Sequence, residues 1–408
     1  MTCRFCKTPL SNVFIDLVNS PASNSFLKPE ELNEPETFYP LKVYTCHRCF
    51  LVQVDEYKKS DAIFNSDYVY FSSYSTSWLQ HAKAYTELMT KRFGYHEKSL
   101  VIEVASNDGY LLQYFKENNI PVLGIEPTAN TAGVAIARGI ESVVDFFGVR
   151  LARELAAKNI KADLLLGNNV LAHVPDITDF VGGMKIILKP GGVVTMEFPH
   201  LMQLVDNNQF DTIYHEHFSY LSFTTVQQIF ASQGLVLFDV DEIPTHGGSL
   251  RIYAKHAEDN SKEITSNTKR LLEKEAAKGM GGLAYYDNFQ QKALKVKYDI
   301  IEFLIQQKKA GKKVAAYGAA AKGNTLLNYC GIKNDLIDFV VDANPHKQNK
   351  YLPASHIPVV NEQYLKDQQP DFVIILPWNL KEEITAQLSY IKNWGAQFVV
   401  PVPALQII

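Results

Sequence analysis

Leu100-Val101-Ile102-Glu103-Val104-Ala105-Ser106-Asn107-Asp108-Gly109 decides the fold. An apolar run of buried-strand type passes into a turn of small and amide residues, and a helical pattern starts near Tyr110. A second strand, residues 122–125, ends at Glu126, followed by Pro127, where an acid can accept hydrogen bonds from both hydroxyls of a ribose. Strand, small-residue turn, helix, strand, acid is the order of a Rossmann-like adenosine site. Asp145 and Phe146 follow a third short strand, placed to hold an adenine ring by hydrogen bond and packing. The fourth strand, 163–169, ends in Asn168 and Asn169, and a Leu-Lys-Pro-Gly-Gly turn at 188–192 leads into a fifth at 193–197. No G-x-G-x-x-G occurs, which weakens a dehydrogenase reading.

The surrounding composition is globular. A chain of 408 residues, 46% hydrophobic and 21% charged, is too long for one ordinary core and predicts two or three domains. A net charge of −4 argues against a nucleic-acid surface. No apolar run approaches bilayer length and the first residues do not read as a signal peptide, so the expectation is a soluble, cytoplasmic protein with no membrane partner, a monomer or small homo-oligomer.

Four of the five cysteines fall into two Cys-x-x-Cys pairs, Cys3 with Cys6 and Cys46 with Cys49. They supply the four thiolates of a closed tetrahedral zinc site, with no open position for substrate, so the metal is expected to stabilise a small module. Residues 38–54 around the second pair read as short strands. The fifth, Cys330, reads as a core thiol.

Beyond a charged helical region at 261–310, a second α/β unit begins with a strand at 313–317. Its turn, residues 318–325, resembles G-x-x-x-x-G-K-[ST], but Asn324 stands where the phosphate-binding lysine belongs, which argues against ATP hydrolysis. Gly318, Ala319, Lys322 and Asn324 are instead expected to hold a diphosphate at the start of a helix. Strands at 337–341, ending before Asp342, and at 372–376 follow.

Tyr214-His215-Glu216-His217-Phe218 puts two histidines, an acid and a phenol together. The histidines stand two apart, whereas a helical zinc pair stands four apart. Buried structural histidines remain one reading of the run, proton transfer the other.

The strand series resembles the class I methyltransferases, including a closing antiparallel pair at 235–241 and 249–254. The whole chain resembles the nucleotide-sugar C-methyltransferases that act on 4-keto hexoses. The likeness rests on the two cysteine pairs, the 103–109 motif, Asn168-Asn169-Val170-Leu171-Ala172-His173, Tyr214 to His217 and His246-Gly247-Gly248-Ser249-Leu250-Arg251. It departs from the usual glycine-rich motif at Ala105 and Asn107, with only Gly109 kept. The resemblance implies an α/β protein of three parts: a zinc module (1–75), a class I S-adenosylmethionine domain (76–256) and a C-terminal Rossmann-like nucleotide-sugar domain (257–408). It implies C-methylation beside a ketone, with His217 as base, Tyr214 and Tyr74 as hydrogen-bond donors to the oxygen, Glu216 orienting an imidazole and His173 contacting substrate. Glu103, Ala105, Asn107, Gly109, Glu126, Pro127, Asp145, Phe146, Asn168 and Asn169 would hold the methyl donor. Arg251 is left between a phosphate and a surface acid as its partner. Oxygen- or nitrogen-directed methyl transfer, and a non-catalytic sensor, are the competing readings.

Overall fold

The computed structural model describes residues 1–59, 64 and 70–408; Tyr68 and Val69 of the aromatic run before Tyr74 lie outside the described residues. Three sheets organise it. The first joins β1 (Asn12–Ser20), β2 (Tyr39–Thr45), β3 (Val52–Val54) and, from far along the chain, β9 (Ser219–Tyr220), in that order.

The second is seven-stranded: β4 (Val101–Val104), β5 (Val122–Ile125), β6 (Ser142–Val143), β7 (Ala162–Asn168), β8 (Leu188–Pro199), β10 (Leu235–Ile243) and β11 (Ser249–His256). Its order is β10-β11-β8-β7-β4-β5-β6, parallel except where β11 runs against both β8 and β10. This is the class I methyltransferase arrangement. The central strand β4 is buried at all four positions, which explains why its sequence is a continuous apolar run rather than an alternation.

The third sheet carries β12 (Val314–Tyr317), β13 (Val340–Val341), β14 (Val359–Val360), β15 (Phe372–Ile375), β16 (Gln397–Val400) and β17 (Gln406–Ile407), ordered β14-β13-β12-β15-β16-β17. Only β17 is antiparallel. The expected charged helical region resolves into two helices, Ser266–Ala277 and Phe289–Lys309. One apolar core runs from β1–β3 through Leu201, Phe210 and Ile213 to the long helix and β12, so the zinc module and the C-terminal sheet share a core. Among the described residues, no helix is long and apolar enough to cross a membrane.

In the 105–109 turn, where the usual motif has glycines, the structure keeps the left-handed backbone at all three positions: Ala105 (φ 57°), Asn107 (φ 50°) and Gly109 (φ 77°). An alanine there is strained, because its Cβ crowds the following carbonyl. Asn107 adds a role that glycine could not fill: its side chain accepts from the Ser72 amide at 2.9 Å and donates to the Tyr70 carbonyl at 3.1 Å. Asp108 accepts from the Ser73 amide at 3.3 Å. The turn is therefore tied to residues 70–73.

Gly109 is closed to any side chain, since a Cβ would lie 2.4 Å from Ile140 Cδ1 and 3.3 Å from Ala135 Cβ. Gly109→Ala is expected to lose about 1–3 kcal/mol through overpacking and left-handed strain. Ala105→Gly should stay within about 1 kcal/mol of the parent, strain relief offsetting added chain entropy. Urea titrations of both variants check this; equal losses would show that backbone strain does not govern the turn.

Candidate active site

The four cysteine sulfurs lie within 4.8 Å of one another, with Cys3 and Cys49 at 3.6 Å and Cys6 and Cys46 at 3.5 Å. A tetrahedron of zinc–sulfur bonds has edges of about 3.8 Å, so the donor set fits zinc. Both knuckles are built alike: Lys7 and Phe50, each just after a pair, are left-handed and return their amides to the carbonyls of Cys3 and Cys46. Four thiolates would hold the ion and leave it no catalytic position.

At the C-terminal ends of β4 and β7 lies a second set of buried groups. The carboxylate oxygens of Glu103 and the amide atoms of Asn168, with the Tyr110 hydroxyl as a weak shared neighbour, and the Ser106 hydroxyl lack a well-formed hydrogen bond among the described residues. Burial raises the Glu103 pKa well above the usual carboxylate range. Buried polar atoms without partners are costly, so this cradle suits a ligand bearing an ammonium and hydroxyls. Glu126 is already engaged, taking the amides of Asn107 and Thr128 at 2.9 Å each, and its remaining lone pairs face the same turn. Pro127 is half-buried beside it. Asp145 pairs with Arg150 at 2.7 Å, and Phe146 is exposed.

His217 lies in the turn between the short helical segment Phe210–Thr212 and β9. Its Nδ1 is 2.9 Å from the Thr212 carbonyl, which can only accept, so Nδ1 carries the proton and Nε2 is the basic nitrogen. Tyr214 packs on the ring at 4.0 Å between centroids, and His173 meets it edge-on at 4.6 Å. Burial, then His173, His246 and Lys322 hold the His217 pKa well below its ordinary value. Burial also lowers His173 to about 4 and His246 to about 4, and raises Tyr214 well above the phenol range. Three neutral imidazoles and a protonated phenol thus share one buried site.

Other placements differ from the expectations. The carbonyl of Thr212, not Glu216, fixes the His217 tautomer; Glu216 accepts from Asn24 at 2.7 Å, while its backbone bonds the His173 ring. His215, two residues from the base, does not share a strand face with it: it points to the Pro40 carbonyl at 3.2 Å and is structural. Tyr74 is 61% exposed, with Phe71 and His346 as its ring neighbours rather than His217. Arg251 resolves to an acid, a buried one rather than a surface one: it is itself buried and donates to Glu197, its cross-strand partner, at 2.6 Å. The 318–325 turn is shorter than expected, because the helix starts at Ala321. Ala319 gives its amide to Asp342 at 2.8 Å, Gly318 gives its own to Val341, and Asn324 reaches the Ser23 carbonyl at 2.6 Å. Carboxylate and carbonyl groups thus occupy the donors assigned to a diphosphate.

Sequence reasoning assigned no role to five residues found around the site: His246, Trp78, His81, Asp211 and Trp378. His246, left-handed at φ 54°, accepts from the Asn169 amide at 2.8 Å and lies against Trp78, joining the base site to the β7 cradle. His81 pairs with Glu197 at 2.7 Å, and Trp78 stacks on His81. Asp211 is fully buried, and Trp378 donates to it at 2.7 Å from the C-terminal unit. The His-Gly-Gly stretch was a visible signal for His246; the others carry none.

Family models match the chain in three consecutive pieces: a zinc binding domain over residues 3–64, a methyltransferase domain over 78–240 and a C-methyltransferase C-terminal domain over 244–403. The C-methyltransferase NovU of Streptomyces niveus is 34% identical over 409 aligned residues, covering 100% of this chain and 96% of that protein. The chain belongs to the C-methyltransferase family. Solved structures resembling it include S-adenosylmethionine-dependent methyltransferases of Clostridium acetobutylicum (11% identity, TM-score 0.36, 44% of this chain and 92% of that one) and Archaeoglobus fulgidus (13%, 0.35, 43% and 94%). This C-methyltransferase uses S-adenosylmethionine and carries a zinc-binding domain, so the oxygen-directed, nitrogen-directed and sensor readings are set aside.

The zinc-binding sheet bears on His217 through β9, which pairs with β3, and through Phe218, whose carbonyl takes the Val54 amide at 3.1 Å. Cys46→Ser is therefore expected to slow methyl transfer on the order of a hundredfold, the cost of shifting a base by ~1 Å, while S-adenosylmethionine still binds the β4–β7 cradle. Calorimetry beside a transfer assay separates the two; joint loss of binding and transfer would mean the module supports the whole fold.

Proposed function

We propose that this C-methyltransferase acts on a nucleotide-linked 4-keto deoxysugar, at C-3, beside the ketone. One observation carries the reading: a half-buried, neutral His217 with its proton fixed on Nδ1 and Nε2 left basic. A carbon can accept a methyl only with an electron pair to give, and an imidazole can remove a carbon-bound proton only where a neighbouring carbonyl makes it acidic. That chemistry requires a ketone next to the methylated carbon. S-adenosylmethionine supplies the methyl group.

The remaining groups fit this division of labour. Tyr214, kept protonated, is a donor for the carbonyl oxygen as it gains charge. His173, at the end of β7, lines the acceptor side, and Glu216 steadies the run through Asn24. Tyr74 closes the outer rim with Phe71 and His346. Glu103, Ala105, Asn107, Gly109, Glu126, Pro127, Asp145, Phe146, Asn168 and Asn169 form the donor site within residues 76–256. Residues 257–408 receive the nucleotide end: the order of their parallel strands reverses between β12 and β15, and open α/β sheets bind ligands at such a switch.

His217→Asn should keep S-adenosylmethionine binding and lose both methyl transfer and deuterium uptake at the acceptor carbon. Proton exchange at the parental rate would remove His217 as the base. In the parent, a lowered conjugate-acid pKa keeps the imidazole neutral as pH falls, so kcat/KM should hold through pH 6.5, the ordinary value, and drop only in more acidic buffer. An acid limb at or above that value contradicts the assignment.

A further inference from the structure

Lys322 is the second residue of the helix Ala321–Cys330 and belongs to the C-terminal unit. Its half-buried ammonium donates to Asn379 Oδ1 at 2.6 Å and lies 4.7 Å from the centre of the Trp378 ring. Both contacts are neutral, and among the described residues no carboxylate is within ion-pair reach of it. A cation held in protein without a counter-charge is costly. Burial lowers its pKa, against the pull of Asp211.

The same helix is fixed to the base. Thr325 donates to the Ile213 carbonyl at 2.9 Å, next to the Thr212 carbonyl that holds His217. Trp378, under the ammonium, donates to Asp211 at 2.7 Å, one residue before Thr212. Its ring also closes on Gly247, where a Cβ would come within 2.5 Å, and Gly247 follows His246. Lys322 thus stands over the joint between the base and the donor cradle. Its charge is felt at both His217 and His246.

We propose that Lys322 is a catalytic residue supplied by the C-terminal unit, its ammonium facing the acceptor's carbonyl oxygen and stabilising the negative charge that oxygen takes up. This rests on the ketone-substrate reading above. His217 Nε2 takes the proton as the carbon–hydrogen bond breaks; the pair moves into the carbon–carbon bond, and the carbonyl π pair moves onto oxygen. When the carbon bonds the methyl, the carbonyl re-forms and a thioether leaves. The carbonyl carbon adjoins the carbon that loses the proton, so a cation on the helix bonded to Ile213 and over the Trp378 ring bonded to Asp211, both of which lead into His217, is toward the reacting end of the sugar rather than at its phosphates. An ammonium without a direct ion pair, in a site of low polarity, is worth far more to a developing oxyanion than one in water.

The test compares the parent with Lys322→Met, which keeps the stem over Trp378, and Lys322→Arg, which keeps the charge. The probe is a dTDP-linked 4-keto-6-deoxyhexose, followed by deuterium uptake at C-3 and by methyl transfer, with dTDP binding measured by calorimetry. For Lys322→Met, exchange and kcat should both fall roughly 10²–10³-fold with KM and dTDP affinity little changed, and Lys322→Arg should recover part of the loss. Weakened dTDP binding with kcat kept would make Lys322 a phosphate ligand, and unchanged exchange would make it only a tether; either overturns the proposal. A substrate-free arm follows the labelled His217 ring by NMR, where His173, His246, Tyr214, Tyr220 and Lys322 surround it. Its titration should move to higher pH in Lys322→Met, and an unmoved titration overturns the placement even where the probe is rejected by the parent. Rejection of the probe by the parent, with that titration shifted, counts against the substrate reading alone.

Discussion

Residues 210–220 are held from three directions, and the placement of the His217 ring depends on that. On one side β9 adds a strand to the zinc-binding sheet, and His215 bonds the Pro40 carbonyl. On another, Trp378 and Thr325 of the C-terminal unit bond Asp211 and the Ile213 carbonyl. The third is the nucleotide-binding sheet, which meets the segment through the His173 ring. A short turn without regular structure would not fix an imidazole by itself, because too few of its backbone groups are paired within it. Here each neighbouring unit supplies a hydrogen bond within a few residues of the base. A tetrahedral zinc site and a distant α/β unit thereby share the task of aiming one nitrogen.

Burial then sets the chemistry. Desolvation disfavours charge on any group, so it pushes imidazoles toward neutral and carboxylic acids and phenols toward protonated. His217, His173, His246, Tyr214 and Asp211 are all moved in those directions, Asp211 up to about 6. The exception is Glu197: burial opposes its charge, but His81 and Arg251 outweigh it and hold its pKa below the ordinary value. That carboxylate is charged, satisfied by partners at 2.7 and 2.6 Å, and anchors the wall behind Asn169, which donates its amide to the Glu197 carbonyl. Removing one partner from so buried a pair costs about 3–5 kcal/mol, so Arg251 belongs to the frame of the site.

Much of the fold was legible because its signals are local. Strands β4, β5 and β7 are short, largely apolar runs, whereas β8 begins at Leu188 and takes in the Lys-Pro-Gly-Gly stretch read as a turn. Two Cys-x-x-Cys pairs define a zinc site by spacing alone. What local pattern cannot show is pairing between distant elements. The Glu197 to Arg251 register joins residues 54 positions apart, and Asp211 meets Trp378 across 167. Glu216 looked like an imidazole partner because they are sequence neighbours, yet its carboxylate turns to Asn24, 192 residues away. The 318–325 run resembled a phosphate loop because glycine and lysine spacing can be read in one dimension, while the Asp342 carboxylate on the Ala319 amide arrives from another strand.

Ala105 and Asn107 show how such long-range ties account for a departure from a motif. A glycine at either position would relieve left-handed strain of roughly 1–2 kcal/mol. Asn107 instead uses its side chain to bind Ser72 and Tyr70, and the adjacent Asp108 binds Ser73. Residues 70–74 are thus anchored across the donor turn, where Phe71 and Tyr74 reach His346 of the C-terminal unit. The turn that would cradle the methyl donor is in this way connected to the unit that carries Lys322. Strain at one end and cross-unit ring contacts at the other thus belong to one continuous frame.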